Sequence, residues 1–476
     1  MNNLPMHGDH IHLIAICGVG MASLAGLLQS RGFRVSGSDQ GVYPPMSTYL
    51  EGLGIPVLSG YSEEHLGERP DLVVVGNAVS RNNPEVQAVL KSGIPYVSFP
   101  EALRMFLIGS KRSIVVAGTH GKTTTASLLA WVLTQAGLDP SFFVGGIPVN
   151  FNGGFQIGKG PWAVLEGDEY DSAFFDKGPK FLHYNPEKVI LTSLEFDHAD
   201  IYRDIEHMKD AFRCLMGILC PSGTVLVSNR YAAAKEVSRA AHCPVMFYGD
   251  GEPREWVAKN IRVDEQRVLF DVFYKARSEG VVAISLWGQH NVENALGVYV
   301  MAKELGIRVE VIRQALATFA GVRRRQELIG EVAGIMVIDD FAHHPTAVKE
   351  TIAAARMSYP GRRLWAIFEP RSHTSRRRVF EFEFSQALAG ADQIVVAGLY
   401  QPERIPEGDR LSPAKLVDEI GRLRGDGGAV FIERANDIAS YVVERSKAGD
   451  VILVMSNGSF DRVQEKILRL LEMRYR

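Results

Sequence analysis

Short β-branched and apolar runs alternate along the chain with longer segments of helical spacing, a pattern that predicts repeated strand-helix units. Residues 11–17, 34–37, 71–76 and 95–98 read as strands, with helices over 21–31 and 84–91 between them. Residues 113–117 (Ser-Ile-Val-Val-Ala) have the continuous apolar character of a strand buried in a parallel sheet. Gly118 and Gly121 bracket a tight loop, and an amphipathic helix is predicted from Thr123. Strands follow over 162–165, 188–193, 224–228, 245–248, 268–274 and 282–286, several of antiparallel character, before a helix from Gly288 to about Leu305. From Ile335 the alternation restarts, with strands over 335–338, 364–368, 393–397 and 451–455 and helices near 346–356, 377–389, 413–424 and 438–448.

A length of 476 residues fits three such blocks. The expected limits are 1–110, 111–322 and 323–476, and the fold class is α/β throughout. The first block is expected to be Rossmann-like, the central one a phosphate-loop ATPase with a mostly parallel sheet, and the last a Rossmann-like parallel sheet. A net charge of −3 carries no general nucleic-acid footprint. No apolar run reaches the roughly 18 residues of a membrane span, and the first ten residues lack a secretory pattern. The 4 cysteines (Cys17, Cys214, Cys220 and Cys243) form no C-x-x-C pair. Together these features predict a cytoplasmic protein with reduced thiols.

The chemistry concentrates at strand ends. Gly118-Thr-His-Gly-Lys-Thr-Thr124 lies between a strand and a helix, the setting of a phosphate loop, although Val116 stands where the general motif has its first glycine. Backbone N–H groups at the helix start would face phosphates, Lys122 would pair with the β/γ-phosphates, and the Thr123 hydroxyl would ligate Mg²⁺. Gly18-Val-Gly20, with Ser23 in place of a third glycine and Ser38-Asp39 about 20 residues on, fits either a dinucleotide turn or a tight turn that binds no nucleotide. Gly145 to Gly154 is a connector or a ligand-approaching loop. Glu166-Gly-Asp-Glu-Tyr-Asp171 places acids where an open sheet binds ligands and a metal. His198 also follows a strand end. Asn291 and Asn294 could bond a base, or His290 could merely cap the helix. Polar loops after the strands of the last block (339–345, 369–372, 398–400 and 456–460) are expected to form a substrate rim.

These stretches resemble the Mur ligases, the ATP-dependent amide-forming family of peptidoglycan synthesis. The resemblance rests on Gly118 to Thr123, Glu166-x-Asp-Glu169, Glu195-x-Asp-His198, Gly288-x-His-Asn-x-x-Asn294, Arg324-Arg325 and Asp340-x-Ala-His-His-Pro345. It spans nearly the whole chain. Val42-Tyr-Pro-Pro-Met-Ser-Thr48, Gly76-Asn-Ala78, Ala173-Phe-Phe-Asp-Lys177, Leu194 to Asp200, Asp340 to Ala347, Glu369-Pro-Arg-Ser372 and Met455-Ser-Asn-Gly458 are similar to one branch of the family. That branch joins UDP-N-acetylmuramate to L-alanyl-γ-D-glutamyl-meso-diaminopimelate in peptidoglycan recycling. The alternative is the branch whose amine is L-alanine. Ser193 and His373 stand where the family usually has asparagine, and no lysine is assigned as carbamylated.

The resemblance implies ATP and Mg²⁺ as cofactors and an acyl-phosphate route, with the third domain closing over the second. Lys122, His198 and one of His343 or His344 as base would be catalytic. Thr123, Glu169 and His198 would hold the metal. Gly118, Thr119, His120, Gly121, Lys122, Thr123, Thr124, Asn291, Asn294 and Arg325 would bind the nucleotide. Gly18, Gly20, Ser38 and Asp39 would contact the UDP moiety, and Arg371, Ser372, Ser456 and Asn457 the peptide.

Overall fold

The computed structural model describes residues 5–44, 46–264, 267–425 and 427–476. The first four residues, and Pro45 within the 42–48 stretch, lie outside the described residues. The chain divides into two compact units. One runs to Leu194 and adds Glu206–Phe247 and Val300–Ile312; the other comprises Glu195–Ile205, Tyr248–Tyr299 and Arg313–Arg476.

In the first unit a five-stranded parallel sheet has the order Val57–Ser59, Arg34–Asp39, His10–Ile14, Leu72–Val75, Tyr96–Ser98. The first strand is shorter than the expected 11–17. It stops at Ile14 because Ala15 turns to φ +68 and its N–H donates to Ser38 O. Ile14, Val73, Val75, Val86, Val89 and Ile94 form its core on one face. The same unit carries parallel strands in the order Thr224–Ser228, Pro186–Leu191, Arg112–Ala117, Trp162–Gly167, Ser141–Phe143. The helix Lys122–Gln135 follows the central strand. It is not amphipathic: Thr123 to Ala130, Val132 and Leu133 are all buried, because a helix covered on every side needs no polar face.

In the second unit, Trp256–Asp264, Arg267–Tyr274 and Arg277–Ile284 form an antiparallel meander. The first of these strands and half of the third escape the sequence reading, because Lys259 to Asp264 and Arg277 to Val281 alternate weakly and stay largely exposed. A six-stranded sheet follows, in the order Glu327–Val332, Ile335–Asp340, Val451–Met455, Leu364–Phe368, Gln393–Ala397, Ala429–Ile432. It is parallel except for its first strand, which pairs antiparallel with Ile335–Asp340, so the sheet is mixed and not wholly parallel. Alternation along one strand assigns its faces: Leu364, Ala366 and Phe368 enter one core, Trp365 and Ile367 the other. Helices cover both sides, including an unexpected one at Val463–Tyr475 that buries Val463, Ile467 and Leu471. The polar loops after Ile335–Asp340, Leu364–Phe368, Gln393–Ala397 and Val451–Met455 lie at carboxyl ends, where open α/β sheets bind ligands.

Candidate active site

The phosphate loop follows Arg112–Ala117. Gly118 sits at φ +134, and a Cβ there would lie 2.4 Å from Thr192 Oγ1 and 2.6 Å from Ser193 O, so only glycine fits. Gly121 caps the helix at φ +78. The loop is held by the neighbouring strand end: Thr119 N–H donates to Ser193 O (3.2 Å), His120 N–H to Ser193 Oγ (2.7 Å) and Thr192 Oγ1–H to His120 O (2.6 Å). Ser193 thus makes a polar contact of its own where the family usually has asparagine. Lys122 Nζ lies 3.0 and 2.9 Å from the two Glu169 oxygens. Burial alone would push this lysine's pKa down, but Glu169, Asp168 and Glu166 outweigh it, and the ammonium titrates above its ordinary range. It therefore remains a cation at neutral pH, as an anion-binding lysine must. Thr123 Oγ1–H donates to Glu166 Oε1 (2.7 Å), whose other oxygen accepts from Gly145 N–H (2.7 Å). Glu166 is therefore the acid beside the metal-type hydroxyl, a detail the motif did not resolve. The glycine-rich loop is closed on itself, with Val144 N–H on Gly154 O (2.8 Å) and the Phe151 ring against Phe142 and Trp131.

At the first-domain turn Gly18 precedes the helix Val19–Ser30. Asp39 organises the turn instead of pointing free: its carboxylate accepts from Cys17 N–H (2.9 Å) and Gly41 N–H (2.8 Å). The Ser38 hydroxyl donates to Glu85, a fully buried carboxylate that also meets His65 (2.6 Å) and Ser62 N–H (3.3 Å). Both candidate polar residues here are thus engaged in shaping the turn. Asn77 of the 76–78 stretch donates to Asp171 O (3.1 Å), and Phe174 packs on the first-domain core. The hairpin Asp171–Ala173/Asp176–Pro179 therefore ties this domain to the acidic loop.

The second unit gathers three clusters. In the first, His198 takes φ +55 and its N–H donates to Asp197 Oδ1 (2.7 Å). Burial pushes the Asp197 carboxyl up, but His198, His343 and His344 and a hydrogen bond with Thr374 more than offset this and hold it well below the usual range. The two candidate bases differ. His344 caps the helix Pro345–Ser358, its Nδ1 accepting from Thr346 N–H (3.3 Å) and its Nε2–H donating to Phe196 O (3.1 Å). His343 donates from Nδ1 to Phe341 O (2.9 Å), and burial pushes its pKa down to about 4. It is neutral at pH 7, and a pKa this low makes it a weak base.

In the second cluster Asn294 donates to Asn291 Oδ1 (3.2 Å), and Asn291 to Trp287 O (2.8 Å) and Gln326 Oε1 (3.3 Å). Asp340 joins this to the sheet through Gln326 N–H (2.8 Å) and Ala342 N–H (2.8 Å). The guanidinium of Arg325 lies 4.6 Å from the centre of the Phe341 ring.

In the third cluster Arg371 stacks on Tyr400, 3.6 Å from the ring centre, and lies 3.4 Å from Glu369 Oε1. A Cβ at Gly458 would fall 1.8 Å from Arg371 Nε, so that glycine makes room for the guanidinium. Arg324 donates to Ser456 O (2.7 Å) and Gly458 O (2.6 Å), and Ser456 Oγ–H to Glu369. Ser372 holds the 371–375 turn through Ser375. The buried Asn457 Oδ1 has no hydrogen-bond partner among the described residues. Sequence reasoning placed Tyr400 and Gly458 in polar loops without singling them out. Their pairing with Arg371 is invisible along the chain because the three positions are distant in sequence.

Residues 10–110 match the Mur ligase family, catalytic domain; residues 116–302 match the Mur ligase middle domain; residues 324–458 match the Mur ligase, glutamate ligase domain. The chain is 40% identical over 459 residues to the UDP-N-acetylmuramate–L-alanyl-γ-D-glutamyl-meso-2,6-diaminoheptandioate ligase of Escherichia coli, covering 96% of this chain and 97% of that one. The chain belongs to the Mur ligase family. The Haemophilus influenzae ligase of the same name is 38% identical to this Mur ligase, covering 98% and 100% of the two chains. A crystal structure of a murein peptide ligase from Psychrobacter arcticus superposes with a TM-score of 0.71 at 35% identity, covering 98% of this chain and 99% of that one. This agrees with the α/β architecture read from the sequence, and with its match to three successive Mur ligase domains. Among the described residues no helix is long and apolar enough to cross a membrane.

Proposed function

We propose that this Mur ligase joins UDP-N-acetylmuramate to the tripeptide L-alanyl-γ-D-glutamyl-meso-diaminopimelate, with hydrolysis of ATP to ADP and phosphate. The observation that carries this reading is the near full-length similarity to two ligases named for that acceptor, beside a phosphate loop whose lysine is kept cationic. A carboxylate is a poor electrophile, so its oxygen must first become a leaving group, which a phosphoryl group supplies. Lys122 draws the γ-phosphate and the donor carboxylate together against their mutual repulsion. The hydroxyl, carboxylate and imidazole set of Thr123, Glu169 and His198, with Glu166 beside Thr123, suits Mg²⁺, which when bound supplies further charge neutralisation. Backbone N–H groups from Gly118 to Thr124 cradle the phosphates, while Asn291, Asn294 and Arg325 bind the nucleoside. His343 or His344 takes the proton of the attacking amine. Gly18, Gly20, Ser38 and Asp39 shape the UDP site; Arg371, Ser372, Ser456 and Asn457 line the acceptor rim. The working division of the chain is 1–110, 111–322 and 323–476, acting in the cytoplasm.

The test is phosphate release with ATP, Mg²⁺ and UDP-N-acetylmuramate, run with the tripeptide and separately with L-alanine. Release with the tripeptide alone supports the assignment. Release with L-alanine alone moves the protein to the other branch, and release with neither removes both.

A further inference from the structure

We propose that Lys180 binds the donor, its ammonium taking an anionic oxygen of the nucleotide sugar acid between the glycine turn of the first domain and the phosphate loop. This role rests on the functional reading above. Lys180 lies outside every motif that carries the family resemblance.

Its backbone is locked opposite the acidic loop, since Lys180 N–H donates to Tyr170 O (3.1 Å) and Phe181 N–H to Asp168 O (3.4 Å). Its Nζ lies 2.5 Å from Asp168 Oδ2, and the side chain is 15% exposed. Two rings flank the ammonium: the centre of Phe99 at 5.9 Å and that of Tyr170 at 5.8 Å. The Phe99 ring also closes on the glycine turn, because a Cβ at Gly20 would come within 3.3 Å of it. On its other side Asp168 is next to Glu169, the partner of Lys122. A continuous path of contacts therefore runs from Gly20 through Phe99, Lys180 and Asp168 to the phosphate loop. A nucleotide sugar acid held at Gly20 and phosphorylated at Lys122 would pass beside this lysine. Such a donor carries two phosphates and one carboxylate.

A partly buried ion pair is weak grounds for stability, since desolvation offsets much of the attraction. A lysine held there between two rings needs another reason, and anion binding supplies one. The diphosphate and the carboxylate offer the same anionic oxygen chemistry, and two probes separate them.

The experiment is calorimetric titration of UDP and of UDP-N-acetylmuramate into the wild type, K180Q and K180R, with thermal unfolding of each. K180Q is expected to bind UDP-N-acetylmuramate about tenfold more weakly, with K180R recovering most of the loss. An equal loss for UDP places the contact on the diphosphate; an unchanged UDP affinity places it on the carboxylate. Unchanged UDP-N-acetylmuramate affinity in K180Q, with only an altered melting temperature, overturns the proposal and leaves Lys180 a structural partner of Asp168. If K180Q does not fold, K180M keeps the stem between the rings and is read the same way. A wild type that binds no UDP-N-acetylmuramate strikes the functional reading itself and takes this role with it.

Discussion

The loop at Gly118 to Thr124 and the C-terminal rim both gather cations and polar backbone, but they are built differently. In the loop the ligand-facing groups are consecutive, Gly118 to Thr124, and their placement follows from two left-handed glycines and a helix start. In the rim Arg371 is clamped by Tyr400 and Gly458, while Arg324 holds the Ser456–Gly458 turn through its carbonyls. Backbone geometry makes the first site; side chains brought from separate strands make the second. The first should therefore fail by losing its chain path, and the second by losing the orientation of one guanidinium.

The largest expected effect is at Lys122, where K122M should lower phosphate release by on the order of 10³-fold. A variant that retains more than a tenth of wild-type release would break the assignment of that lysine. Gly118→Ala should then cost about 3 kcal/mol or more in urea unfolding, because both φ +134 and the backbone of Ser193 oppose a Cβ. Unchanged stability would mean that the loop can take another path. At Gly458→Ala the nearest atoms belong to the Arg371 side chain and not to backbone. It should leave stability within about 1 kcal/mol of wild type while raising KM for the tripeptide about tenfold, with KM for ATP unmoved. If the two alanine variants behaved alike, the contrast between the sites would be wrong.

The smallest effect concerns pH. His343 has a folded-state pKa of about 4 against an ordinary 6.5, so between these values the unfolded chain binds a proton that the folded chain refuses. Stability from this group is fully present above about pH 6.5 and is lost as pH falls toward 4. The depressed Asp197 carboxyl acts in the same direction at lower pH. Urea unfolding at pH 7 and pH 5 should show a larger loss for wild type than for H343Q. Equal losses would mean that His343 titrates normally.

Much of this architecture is legible in the sequence. Strands 224–228, 364–368, 393–397 and 451–455 have the expected bounds, because fully buried strands are continuous apolar runs. The phosphate loop is legible for a related reason: its function depends on neighbours in sequence. The half-buried strand Glu327–Val332 escapes such reading because it alternates weakly, whereas the helix Val463–Tyr475 carries a legible stripe at Val463, Ile467 and Leu471 that the sequence reading leaves out. Which of His343 and His344 caps a helix also stays open along the chain and is decided only by the structure.

By itself, the order of residues determined the α/β alternation, the family and the glycine turn between strand and helix, all of which depend on spacing along the chain. Tertiary structure alone decided that Glu166 meets Thr123, that Asp39 is spent on the turn, and that Tyr400 and Gly458 clamp Arg371. The physical reason is range: backbone conformation is set by adjacent residues, whereas a side chain's charge state and aim are set by whatever the fold packs against it.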